Sequence, residues 1–209
     1  MKLHIKGLMI VISGPSGVGK EEIKKSLFRR EKNNFVYSIS MTTRPPRVNE
    51  KDGIDYFFVS KEEFRKKIKE NYFLEYNNFV DHYYGTPYRN ILKQLKQEKK
   101  EVVLEIDVQG ALKIKKHKVN KDGVFIFISP PSRQILYERL KNRNTESKDI
   151  LLKRIAKADE EFNLAYKYDY IVVNDEIENA VDKIMSIITA EHSKVKNSIN
   201  VYLSEIVNK

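Results

Sequence analysis

The sequence predicts an α/β protein: a parallel sheet with helices on both faces, carrying an inserted small mixed α+β subdomain and a lid. Three observations lead there. Short continuous apolar runs end at polar or glycine-rich turns. Amphipathic helical stretches lie between the runs. One aromatic-rich region breaks the alternation. Strands that alternate with helices need crossover connections, which make the sheet parallel and cover both of its faces.

The first strand is Leu8-Met9-Ile10-Val11-Ile12, closed by Ser13-Gly14-Pro15. A run without polar alternation suits a strand buried on both sides. Val102-Val103-Leu104, Val124-Phe125-Ile126-Phe127-Ile128 and Tyr170-Ile171-Val172-Val173 repeat the pattern. Between them Ile23, Leu27 and Phe28 show helical spacing, as do Ile135, Leu136 and Leu140. Ile177, Val181, Ile184, Met185 and Ile188 form a third such stripe. Ser60-Lys61-Glu62-Glu63 has the form of a capping box opening a helix with Phe64 and Ile68.

The break in rhythm spans about 35–87, where Phe35-Val36-Tyr37, Tyr56-Phe57-Phe58-Val59, Tyr72-Phe73-Leu74 and Tyr83-Tyr84 cluster. This is the inserted subdomain. The core then takes about 1–34, 88–141 and 168–190, and the polar segment from Asn142 to Asp149 opens a lid over about 142–167. A weakly helical tail with Ile199, Leu203 and Ile206 occupies about 191–209.

With 209 residues, 41% of them hydrophobic, the chain can bury a core as a single domain. No apolar run is long enough to cross a bilayer, and Met1 to Lys6 does not read as a secretion signal. A cytoplasmic protein without membrane contact is expected. The absence of cysteine excludes disulfides, thiolate metal sites and cysteine nucleophiles. His4, His82, His117 and His192 lack metal-ligand spacing. A net charge of +10 fits either nucleic-acid binding or a lysine-rich solvated surface. Lys24-Lys25, Lys66-Lys67 and Lys115-Lys116 fall on the polar sides of predicted helices, and no run is as long as a basic tail. No recognition helix or stacking motif accompanies the charge, so no nucleic-acid partner is expected.

Gly14-Pro15-Ser16-Gly17-Val18-Gly19-Lys20 sits directly after the first strand and before a helix. In that context the glycines let backbone N–H groups cradle phosphate oxygens, helped by the positive end of the helix. Lys20 would lie against the β- and γ-phosphates of ATP. The next position usually carries a Mg²⁺-binding hydroxyl, but here it is Glu21. Two placements are expected for Glu21: facing solvent, or touching the metal through water.

In Arg44-Pro45-Pro46-Arg47 the prolines favour polyproline II geometry, which sets both guanidiniums on one side, roughly 9 Å apart. Such a pair can grip a phosphate dianion. Taken alone, the segment also fits a proline-rich docking peptide or a solvated loop.

It is followed in order by Gly53-Ile54-Asp55-Tyr56-Phe57-Phe58-Val59, Phe73-Leu74-Glu75-Tyr76, Tyr83-Tyr84-Gly85-Thr86 and Leu104-Glu105-Ile106-Asp107-Val108-Gln109-Gly110. With the phosphate loop, this series resembles the guanylate kinases, P-loop nucleoside monophosphate kinases, from about Leu8 to Glu191. The resemblance implies that Arg44, Arg47, Tyr56 and Tyr84 hold the phosphate of GMP, with Ser40 at the same site. It implies that Glu75 reads guanine, accepting from N1–H and the 2-amino group, and that Thr86 donates to O6. Adenine has no such donors and would leave Glu75 unpaired. Asp107 matches an acidic position that contacts the acceptor nucleotide. Glu105 stands where many relatives have Asp near the metal, and would act through water.

On the donor side the resemblance implies that Arg139, Arg143 and Arg154 converge on ATP and that Asn174 contacts adenine. The implied catalytic set is Lys20, Arg44, Arg139, Arg143 and Arg154, with Mg²⁺ brought by ATP and no dedicated general base. GMP is the expected acceptor and dGMP a second one, in a monomer or homodimer. Three other readings compete with this one. One is a guanylate-kinase-like binding module with impaired catalysis, favoured only by Glu21. The second is a kinase for another acceptor, which Glu75 with Thr86 opposes. The third is the nucleic-acid binder set aside above.

Overall fold

The computed structural model describes residues 7–30, 34–79, 81–116, 123–142 and 148–207. The first apolar run becomes β1 (Met9–Ser13), buried at every position. Its side chains alternate between two cores. Ile10 and Ile12 join Ile23 and Leu27 of α1 (Lys20–Arg29) and Val181 and Ile184 of a late helix. Met9 and Val11 face the other way, onto Leu104, Ala111, Ile114 and Phe125. Period-two alternation thus explains why this strand has no polar face.

The larger sheet is parallel throughout and has the order β2-β7-β1-β8-β9. Its members are β2 (Phe35–Tyr37), β7 (Glu101–Glu105), β8 (Val124–Ser129) and β9 (Tyr170–Val173) beside β1. Helices α3 (Tyr88–Lys96), α4 (Val108–Lys116), α5 (Arg133–Asn142) and α7 (Ile177–Ser193) contribute to the two cores. The sequence had placed Phe35-Val36-Tyr37 in the insertion, and the structure corrects this. Val36 lies opposite Val102 in the main sheet, and Phe28 of α1 packs on Phe35 at 5.9 Å and Tyr37 at 6.4 Å. The aromatics at the start of the region belong to α1, not to the aromatic cluster downstream.

The insertion is a second, mixed sheet of order β4-β3-β6-β5. It comprises β3 (Met41–Thr42), β4 (Phe57–Phe58), β5 (Phe73–Phe79) and β6 (His82–Pro87). Helix α2 (Lys61–Lys69) closes one face of it. Ser60 caps α2 by accepting from the Glu63 N–H at 3.1 Å, and buried Phe64 stacks on Phe73 at 4.4 Å and on Tyr83 at 5.3 Å. One residue of β5 is bulged between Phe73 and Glu75. The bulge reverses the side-chain alternation, so Phe73 and Tyr76 share the helix-facing side with rings 6.3 Å apart. Glu75 and Asn77 are thereby turned to the opposite face, which lines a cleft.

After α5, α6 (Lys148–Phe162) runs back over the phosphate loop, with Ile155 and Ala158 in the first core. Of the expected lid over about 142–167, residues 143–147, Arg143 among them, lie outside the described residues, and α6 makes up most of the rest. At the end of the chain α7 gives way at Lys194 to α8 (Val195–Tyr202). Buried Glu101 ties this end to the sheet, accepting from Leu8 N–H at 2.8 Å and meeting His192 Nε2 at 2.8 Å.

Candidate active site

The turn after β1 must bend tightly between a buried strand and a helix. Gly19 adopts φ 88°, and a Cβ there would stand 2.5 Å from Asn174 Nδ2, so only glycine fits. Val18 is fully buried and anchors the loop in the core. Lys20 Nζ curls back to donate to Gly14 O at 2.7 Å and Pro15 O at 2.9 Å. Arg154 of α6 reaches Ser16 Oγ at 3.4 Å. Loop and helix α6 therefore face one another across the start of a cleft of about 360 Å³.

The inserted sheet forms the far wall. There Glu75 accepts from the Thr86 hydroxyl at 2.7 Å. Burial pushes its carboxyl up to about 7; Asp107 adds to that rise, while Thr86 and Lys113 oppose it. The α4 residue Gly110 permits the close approach, since a Cβ there would stand 3.2 Å from both Glu75 Oε2 and Asp107 Oδ1. Asp107 also accepts from Gly110 N–H at 2.6 Å, capping the helix that follows β7. Farther along the wall the rings of Tyr56 and Tyr84 meet edge to face at 6.2 Å. The Arg44 guanidinium lies 5.2 Å from the Tyr56 ring centre. Glu50 grips Arg44 with two bonds of 2.6 and 2.8 Å and takes the Arg47 main-chain N–H at 2.7 Å. That pairing holds the Glu50 carboxyl below its ordinary range.

A separate groove lies behind the loop. Arg139 donates to Asn174 O at 3.0 Å, and Asn174 Nδ2 donates to Val18 O at 2.8 Å. Arg139 Nη1 and Asn174 Oδ1 are buried without a protein partner. One donor and one acceptor are thus left for a ligand with a polar edge.

The comparisons with known proteins bear on this arrangement. The family model described as guanylate kinase matches residues 6–191. The chain belongs to the guanylate kinase family. It is 58% identical over 203 residues to the guanylate kinase of Onion yellows phytoplasma (strain OY-M), covering 97% of this chain and 95% of that protein. The guanylate kinase of Caldanaerobacter subterraneus subsp. tengcongensis is 51% identical over 203 residues, covering 97% of each. The crystal structure of guanylate kinase from Anaplasma phagocytophilum superimposes with a TM-score of 0.77 at 31% identity, covering 98% of both chains.

Of the residues that the phosphate-loop motif and the guanylate kinase resemblance singled out, Gly14, Ser16, Lys20, Ser40, Tyr56 and Glu75 line the cleft. Tyr84, Glu105, Asp107 and Arg154 complete that set, with Thr86 bonded behind Glu75. Gly17, Gly19, Arg139 and Asn174 line the second groove. Pro15 and Val18 are buried in the loop. Arg47 is exposed and is not among the cleft residues. Glu21 pairs with Lys25 at 2.7 Å on the outer side of α1, both side chains more than half exposed, in line with the solvent-facing alternative. Thr86 gives its only hydrogen to Glu75, not to the open cleft, so donation to a base oxygen requires that bond to be exchanged. Glu105 carries an unanticipated partner, Lys24 at 3.0 Å, whose ammonium sits 4.2 Å over the Tyr37 ring.

Four participants escaped the sequence reading: Glu50, Asn77, Lys157 and Glu161. Lys157 and Glu161 line the cleft from α6, three and seven residues after Arg154. That is one helical face, so their spacing was a usable signal. Asn77 follows Glu75 by two in a strand and shares its face by the same logic. Glu50 had no signal, because its contact with Arg44 depends on the fold of the loop between them.

Proposed function

We propose that this protein transfers the γ-phosphoryl group of ATP to the phosphate of GMP, giving ADP and GDP. The observation that carries the reading is the position of Glu75. It stands at the base of the cleft whose other end is formed by the phosphate loop and Lys20. As a carboxylate it accepts from both guanine donors, N1–H and the 2-amino group, which adenine cannot offer.

The reaction needs no group to form a covalent intermediate with the protein. An oxygen of the acceptor phosphate, already ionised near neutral pH, attacks the γ-phosphorus as the bond to the β-phosphate bridging oxygen breaks. The protein positions the two reactants and neutralises charge. Loop N–H groups and Lys20 hold the donor phosphates. Arg44, Tyr56 and Tyr84 hold the acceptor phosphate, with Arg47 and Ser40 nearby in the same subdomain. Arg154 acts from α6, the unpartnered atoms of Arg139 and Asn174 take the adenine side, and Arg143 is assigned to ATP from the sequence resemblance alone.

Among the described residues no group of three acidic or imidazole side chains is arranged to bind a metal. That suits Mg²⁺, which keeps most of its water and arrives on substrate phosphates. Glu105 at the end of β7 and Asp107 beyond it are the carboxylates that would meet its water shell. When bound, the ion neutralises charge on the β- and γ-phosphates. The pairing of Glu21 with Lys25 on the solvent side of α1 supports the catalytic reading over a binding module, because it holds the carboxylate in an ion pair of its own.

Purified protein incubated with Mg²⁺-ATP and, separately, GMP, AMP, CMP or UMP tests the reading by ADP release. Turnover with GMP alone is expected. Turnover with AMP in place of GMP would overturn the role of Glu75.

A further inference from the structure

We propose that Asn77 reads the sugar of the acceptor nucleotide and sets the preference for GMP over its deoxy analogues. The inference rests on the GMP reading above and extends it to a residue outside the inferred binding set. Glu75 and Asn77 both line the cleft, while Tyr76 between them is exposed on the opposite face. In the β5–β6 ladder Glu75 lies opposite Thr86, and Asn77 lies opposite Tyr84. The first pair marks the base end of the acceptor site and the second the phosphate end. Two residues along a strand span about 6.8 Å. A nucleoside monophosphate laid along this ladder, base on Glu75 and phosphate by the Tyr84 hydroxyl, carries its sugar along the cleft side of β5 on which Asn77 lies.

The Asn77 amide is already oriented for that role. Its Oδ1 accepts from the Asn78 N–H at 3.0 Å. Because the neighbour is a donor, the atom facing it must be the oxygen, which turns the NH₂ group away from the main chain. Among the described residues that NH₂ donates to no protein acceptor. On a residue that lines the cleft, a donor whose own amide oxygen is occupied can meet a hydroxyl oxygen of ribose. Removing the hydroxyl leaves the donor without a partner, so a deoxy acceptor loses one neutral hydrogen bond.

The test compares kcat/KM for GMP, 2′-deoxy-GMP and 3′-deoxy-GMP in the wild type and in Asn77→Ala. A bond of this kind is worth about a 3- to 10-fold change. The wild type should favour GMP over at least one deoxy acceptor by that factor. Asn77→Ala should lower kcat/KM for GMP by the same factor while leaving that deoxy acceptor unaffected. Each ratio is taken on one protein preparation, so partial loss of folded enzyme cancels. Asn77→Val, which suits a strand and also lacks the donor, should give the same collapse if the alanine variant folds poorly. An equal fall for all three acceptors would assign Asn77 to the phosphate or to the strand, and would overturn the proposal. Unchanged values would overturn it as well. Wild-type turnover of GMP in the same assay reports separately on the parent reading, and its absence would sink both.

Discussion

A carboxylate that binds guanine through two N–H donors has to be charged, yet the surroundings of Glu75 favour its proton. Burial pushes its carboxyl up to about 7, against an ordinary value of 4.5. In the unfolded chain the group ionises near 4.5, whereas in the free folded protein it keeps its proton to about 7. Unfolding therefore releases a proton between those limits, and stability falls as pH rises through the window. Above the window the buried charge costs up to about 3 kcal/mol. Glu75→Gln keeps an oxygen to accept from Thr86 and never ionises. We expect it to raise the melting temperature at pH above 7, with the gain shrinking to nothing below 4.5, and to abolish efficient use of GMP. A variant that melts like the wild type at high pH would mean that the site is better solvated than its burial implies. The site therefore gives up stability for the discrimination that its charge supplies. At this scale the sequence was informative about residue types and poor about their partners. Glu75, Thr86 and Lys20 could be read from motif order, but Glu50 on Arg44 and Lys24 on Glu105 could not. Both contacts are made by side chains whose meeting depends on loop and helix placement.

At the scale of elements the bulge in β5 decides which residues reach the cleft. Strict alternation from Phe73 would have put Glu75 beside it, under α2. One extra residue turns Glu75 and Asn77 outward and leaves Phe73 stacked on Phe64. Bulges cannot be read from hydrophobic periodicity, so the site was legible here from motif order and not from pattern. The parallel sheet was legible because the apolar runs of β1, β7 and β8 are largely buried on both faces and that of β9 shares their composition at the sheet edge, with Ile171 and Val173 exposed; β2 was misplaced because its aromatic residues serve α1. The N-terminal turn of α4 completes the acceptor wall, and Gly110 is the residue that lets the two elements approach. Alanine in a helix interior is favoured over glycine by about 1 kcal/mol. In Gly110→Ala that gain meets a Cβ 3.2 Å from two carboxylate oxygens, so Glu75 or Asp107 must shift by a few tenths of an ångström. We expect the variant to fold with near-normal stability while the KM for GMP rises about tenfold and the KM for ATP stays unchanged. An unaltered KM for GMP would show that the close approach of α4 plays no part in holding Glu75.

Across the whole molecule, several of the cations assigned to the nucleotides are already engaged by protein oxygens. Lys20 rests on Gly14 O and Pro15 O, Arg44 on Glu50, and Arg139 on Asn174 O. Arg154 reaches Ser16 from the helix that bounds the third side of the cleft. Nucleotide phosphates therefore compete with protein acceptors for these donors. Donor and acceptor phosphates draw on separate parts of the fold, the loop with α6 and the inserted sheet. A ligand that spans both parts replaces all of these contacts in one binding event and loses translational freedom only once. Adenosine and guanosine joined through a polyphosphate chain should accordingly raise the melting temperature more than ATP and GMP added together at the same concentration. At a hundredfold excess over its Kd the rise should be about 5–10 °C. Lys20→Ala should remove most of the advantage of the linked compound while leaving the smaller shift caused by GMP. If the linked compound stabilises no more than ATP alone, the two parts of the cleft do not act on one continuous ligand, and in-line transfer between them loses its structural basis.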